Sequence, residues 1–149
     1  MTEIELKELL TETATEHEAI RNDAPHTHDT WAVGDVAHQG DVIFVHIGEL
    51  PRSAKPRTDR QLADGNTQGS RHICDSNVFD CLATDVIQAI KKATGGVVVN
   101  DRYLGPVFKG PATVTHPEHG DHVFPGECVN AVVIQRALDM EEREIRVAD

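Results

Sequence analysis

At 149 residues and a formal charge of −11, the chain is long enough to bury roughly two-thirds of its unfolded surface in one core. It contains no apolar run of about 18 residues that would make a membrane span, and Met1–Glu5 lacks the basic and apolar regions of a signal peptide, so a cytoplasmic product is expected. Twenty-five acids against fourteen lysines and arginines leave no basic stripe to release the counterions of a phosphate backbone, which argues against a nucleic-acid partner.

In chain order, residues 3–21 are predicted to be helical. Thr2 supplies an N-cap, acids fill the first turn, and Ile4, Leu6, Leu9, Leu10 and Ile20 lie roughly on one side. That stripe is thin for a core helix, so residues 1–29 are expected to form an arm and linker, with those five residues as the interface to another subunit. Pro25 and the Asx residues of 22–29 stop the helix, and His26 and His28 in this loop read as solvated. The remaining residues, 30–149, are expected to form the β domain.

From Gly40 the pattern changes to β-branched, and residues 41–47 read as a buried strand. Residues 51–60, with two prolines and four basic residues, read as a surface loop. A second strand includes Arg71–Cys74. Leu82, Val86, Ile87, Ala89 and Ile90 carry a helical period over residues 80–92, ended by Gly95–Gly96. Val97–Val99 and Tyr103–Leu104 flank Asn100–Arg102 as a hairpin candidate. Ala112–His116 and the apolar run Cys128–Arg136 are further strands, and residues 139–149 form a tail or an edge strand. The predicted fold is mainly β, a compact antiparallel barrel or sandwich with an N-terminal helix and one short inserted helix.

Acids spread along the whole length, few large aromatics and only five lysines give the composition of proteins from salt-in halophiles or their viruses. Dense carboxylates hold hydration where salt has screened ordinary charge repulsion. Cys74, Cys81 and Cys128 lack the paired C-x-x-C knuckles of a structural zinc site and are too few for a disulfide framework, so they are expected to be reduced.

The densest concentration of chemistry is His116-Pro-Glu-His119-Gly-Asp-His122, with His72 upstream. Imidazoles spaced this closely make a divalent-metal site, a proton-transfer site or a polar corner. No nucleophile elbow and no phosphate-binding glycine loop accompanies them. The surrounding residues resemble a family of small bacterial and phage β proteins of uncharacterised function. The matching elements are Gln39-Gly40-Asp41-Val42, Leu62-Ala63-Asp64-Gly65, Gly69 with His72, His116 with Glu118 and His119, Pro125-Gly126, and Gln135-Arg136. The family carries a His-x-His pair after its Thr-Gly, and Ser70 stands where the first of those histidines would be. The resemblance implies a trio of His72, His116 and His119 as metal ligands, with Cys74, Glu118 and His122 as spare donors. It covers about residues 39–149, treats the helix near residues 80–92 as an insertion and leaves the N-terminal arm unexplained.

Two readings follow. The first is a non-enzymatic structural protein, a capsid-associated or other virion component of a haloarchaeal tailed virus, acting as a homo-oligomer or in assembly with other structural proteins. The second is a cupin-like metal-binding protein, with the option of a metal-dependent enzyme, that holds a divalent ion with His72, His116 and His119.

Overall fold

A strand that is apolar at nearly every position has to be covered on both faces, and two such strands organise this molecule. The computed structural model describes residues 4–5, 24–63 and 71–134. The strands are β1 (Ile4–Glu5), β2 (His26–Thr27), β3 (Val36–Gln39), β4 (Val42–His46), β5 (Lys55–Arg57), β6 (Ile73–Cys74) and β7 (Val78–Asp80). Helix α1 (Ala83–Thr94) follows, then β8 (Val97–Val98), β9 (Leu104–Lys109), β10 (Ala112–Thr115), β11 (His122–Phe124) and β12 (Val129–Ile134).

Six strands form an antiparallel sheet in the order β3-β4-β12-β9-β7-β5, and four form a second sheet in the order β2-β11-β10-β6. Alternation divides the central strands of the larger sheet between two cores. Ile43 and Val45 of β4, with Ala131 and Val133 of β12, pack with Val86 and Ile90 of α1. Their neighbours Val42, Phe44 and Val132 pack with Val114 and Phe124 of the smaller sheet. The result is a sandwich with α1 on its outer face, in agreement with the expected mainly β class. Each fully buried Val, Ile or Phe contributes about 1.5–3 kcal/mol to that arrangement.

Helix α1 forms over nearly the predicted span. Val86 and Ile90, one turn apart, are its buried residues, Lys91 and Lys92 complement its C-terminal dipole, and Gly95 closes it in the left-handed conformation at φ +76°. The predicted loop at 51–60 contains β5, an edge strand. Pro56 is tolerated there because an edge needs fewer ladder donors.

Elsewhere the structure corrects the sequence. Val97–Val99 and Tyr103–Leu104 do not form a hairpin. The Asn100 side chain accepts from the Arg102 N–H and Asp101–Tyr103 wind into a 3-10 turn. Strand β8 then pairs in parallel with β1, while β9 leaves to pair with β12 and β7. Ile4–Glu5 is therefore a strand and not the first turn of a helix. Leu6, Leu9, Leu10 and Ile20, with residues 6–23 of the predicted arm, lie outside the described residues, as does the 139–149 tail. The smaller sheet begins at His26, ahead of residue 30, because β2 pairs with β11.

Candidate functional site

Strands β3 and β4 are joined by Gly40–Asp41 alone, since Gln39 pairs directly with Val42. Gly40 takes φ +58° at the first central position of this two-residue turn, a conformation that suits glycine. The turn places Asp41 at the rim and leaves Gln39, at the end of β3, buried with 1% exposure. The Gln39 amide nitrogen donates to Val114 O at 2.9 Å and to Gly120 O at 3.0 Å. Both partners are carbonyl acceptors, so the amide has only one satisfactory orientation, with Oε1 turned toward His72 Nδ1 at 2.9 Å.

That orientation determines the tautomer of His72. An amide oxygen can only accept, so His72 carries a hydrogen on Nδ1. Its other nitrogen, Nε2, lies 3.0 Å from Asp41 Oδ1. The His72 side chain is completely buried, whereas that of Asp41 is 28% exposed, which makes the carboxylate the solvent-facing side of the pair.

The other two predicted residues complete a row. The His116 ring centroid is 4.4 Å from that of His72 and 4.7 Å from that of His119. His116 Nδ1 accepts the Glu118 N–H at 3.0 Å, so a neutral His116 carries its hydrogen on Nε2 and acts there as a donor. Burial first, then His72 and His119, hold its pKa down at about 4. His119 is exposed, and its ring lies so close to Gly40 that a Cβ there would sit 2.7 Å from its Cδ2 and Nε2. The structure thus brings His72, His116 and His119 together but gives them different hydrogen-bonding roles. Among the described residues, no group of three or more His, Cys, Asp or Glu is placed as a ready-made set of metal ligands.

Of the spare donors, Cys74 is buried in the core between the sheets, where its sulfur accepts the Ser76 N–H and burial pushes its thiol up to about 11. His122 belongs to a second cluster. His28 Nε2 lies 2.9 Å from His122 Nδ1. The His28 ring stacks on Phe124 at 4.8 Å and leans on Trp31 at 4.8 Å, and His26 stacks on His122 at 4.7 Å. Trp31 is anchored by donating from Nε1 to Asn130 Oδ1 at 2.7 Å. Hence His26 and His28, expected to be solvated, are half-buried ring partners.

Sequence reasoning missed Asp41 and Gln39 as members of the site. The available signal was the Gln-Gly-Asp run itself, where a glycine-led turn exposes an acid beside an amide. Two cavities, of about 290 and 730 Å³, lie elsewhere. The smaller is bordered by Arg57, Asp80 and Asp101, the larger by α1 and residues 47–52. Neither is lined by the histidine row.

A family model described as a domain of unknown function, DUF8820, matches residues 38–126, which span the turn, His72 and the His116–His122 segment. No curated protein and no solved structure matches the chain.

Proposed function

The chain belongs to the DUF8820 family, and we propose that it is a divalent-metal-binding domain whose ion sits between Asp41 and His72. One observation carries the reading. Gln39 forces the hydrogen of a neutral His72 onto Nδ1, so the lone pair on Nε2 confronts a carboxylate oxygen only 3.0 Å away. Two acceptors at that separation repel unless something electropositive stands between them. The candidates are a proton and a metal ion.

The surroundings favour the metal. Two donors about 2.1 Å from one ion and roughly at right angles lie about 3.0 Å apart, which is the separation of this pair. A ligating histidine commonly donates its second ring nitrogen to an oxygen acceptor, and Gln39 Oε1 fills that role. Water and the exposed ring of His119 are available to complete the shell. A mixed carboxylate and imidazole set suits zinc, manganese or a similar ion. His116, with Nδ1 taken by the Glu118 amide, serves as a neutral neighbour and not as a ligand. The virion reading rests on the stripe of Ile4, Leu6, Leu9, Leu10 and Ile20 and on the acidic composition; of that stripe only Ile4, in β1, lies within the described residues, so the geometry gives the reading no support of its own.

The test is calorimetric titration of tag-free, chelator-stripped protein with Zn²⁺ and Mn²⁺, with Asp41→Asn and His72→Gln as controls. One ion should bind per wild-type chain. At a hundred times Kd it should raise Tm by about 5–10 °C, from roughly 2.7 kcal/mol of linkage. Both variants should lose that response. Absence of binding, or equal binding by Asp41→Asn, would leave a shared proton as the bridge and refute the metal reading.

A further inference from the structure

Strand β2 is two residues long and sits at the edge of the smaller sheet. Its main-chain tethers to β11 include His26 N–H to Asp121 O at 2.7 Å and His28 N–H to Val123 O at 2.9 Å. A pairing this short is marginal without side-chain support. That support comes from rings. His28 stacks on Phe124 with only 18° between the planes, and its Nε2 meets His122 Nδ1 at 2.9 Å.

A contact between two imidazole nitrogens at this distance holds one hydrogen, donated by one ring and accepted by the other. When both rings are charged, two N–H groups point at each other and the contact becomes repulsive. Among the described residues, other titratable groups face the pair. His26 lies on the same strand and stacks on His122, and His46 of β4 lies beyond Trp31, 6.2 Å from its ring. Asp35, ahead of β3, is the acid acting on His28, and its carboxylate already accepts the Ala32 N–H at 2.8 Å. Of these groups only Asp35 favours a charged His28.

We propose that β2 is an acid-released clasp: protonation of the His28–His122 pair detaches residues 24–28 from β11 and uncovers the edge of that strand together with the Trp31–Phe124 face. Released in this way, the β11 edge offers unpaired main-chain groups to another strand. The docked segment resists protonation. Burial first and His26 second hold the His28 pKa at about 4, against 6.5 for the ordinary imidazole. The detached segment binds its proton near pH 6.5, so the clasp is fully stabilised above that pH and weakens as pH falls toward 4. At pH 4.5 these two values make the His28 contribution a roughly 75-fold shift in the opening equilibrium.

The experiment is amide hydrogen exchange on the full-length chain between pH 7.5 and 4.5, in chelator-treated buffer so that metal binding plays no part. Rates are corrected for the intrinsic pH dependence of exchange. Protection of the His26 and His28 amides should fall about ten-fold or more while β4 and β12 stay protected. Trp31, the single tryptophan, should shift its emission to the red over the same range. His28→Phe keeps a stacking ring and removes the titrating nitrogen, so its clasp should hold at pH 4.5. Protection that survives at pH 4.5 in the wild type, or is lost only together with β4 and β12, overturns the proposal. So does an unchanged pH profile in His28→Phe, and if that variant does not fold the wild-type profile decides.

Discussion

The two histidine clusters use the same side chain in opposite ways. At the Gly40–Asp41 turn, a buried amide fixes a hydrogen on Nδ1 of His72 and turns its other nitrogen onto a carboxylate, an arrangement that a proton or the proposed metal ion would complete. Around Trp31 and Phe124, His28 and His122 can satisfy each other with one hydrogen and their rings act largely as packing surface. The difference lies in the neighbours: Gln39 and Asp41 give the first cluster a direction and a charge, while aromatic rings give the second an apolar setting. A count of histidines in the sequence does not distinguish them.

The largest expected break in that comparison comes from Phe124→Ala. Phe124 is buried against Phe44, Phe108, Trp31 and His28, so its loss removes the common floor of the aromatic cluster. Phe-to-Ala changes in cores cost about 3–5 kcal/mol. For a chain of this size that is a fall of roughly 6–20 °C in Tm, measurable by calorimetry. Metal affinity measured well below the new Tm should stay within about two-fold of wild type, since the truncation touches neither Asp41 nor His72. A large loss of affinity would mean that the two clusters are one coupled unit.

Gln39→Leu is the smaller and more selective break. It leaves Val114 O and Gly120 O without their side-chain donor, at a cost of about 1–3 kcal/mol in stability. It also frees His72 to place its hydrogen on either nitrogen, and loss of such a supporting contact typically weakens metal binding about 10- to 100-fold. Gln39 acts through His72, so the signature is lost affinity together with a changed His72 tautomer in ¹⁵N NMR. Stability loss with unchanged affinity would make Gln39 a purely structural buried amide.

How much of this was legible in the sequence depends on whether the signal is local. The β4 and β12 strands and α1 with its glycine stop follow from period and turn chemistry, which a few adjacent residues determine. The failure at Val97–Leu104 has a long-range cause. Two short apolar runs around a polar turn resemble a hairpin, but β9 finds its partners in β12 and β7, and neither pairing is encoded nearby. The site divides in the same way. His116 and His119 are neighbours in sequence. The approach of His72 to Gln39 and Asp41 crosses more than thirty residues and depends on long-range pairing of β6 with β10. His28 read as solvated because its partner His122 is 94 positions away.

The smallest predicted effect asks whether His119 belongs to the cation site. Gly40→Ala puts a side chain at φ +58°, which costs about 1 kcal/mol for a residue with a Cβ. The added methyl would stand 2.7 Å from His119 Cδ2 and Nε2. These atoms belong to an exposed ring that can swing away, so the backbone need not move and the fold should survive with Tm lowered by about 2–4 °C. Displacing that ring removes one donor and leaves the Asp41–His72 pair in place. Affinity should therefore fall by less than in Gln39→Leu, about three- to ten-fold, a loss of one weak ligand contact. His119→Ala should reproduce the fall, and the double variant should lose no more than His119→Ala alone. Independent, additive losses in a double-mutant cycle would show that Gly40 acts through the turn and its hold on Asp41, with His119 outside the site.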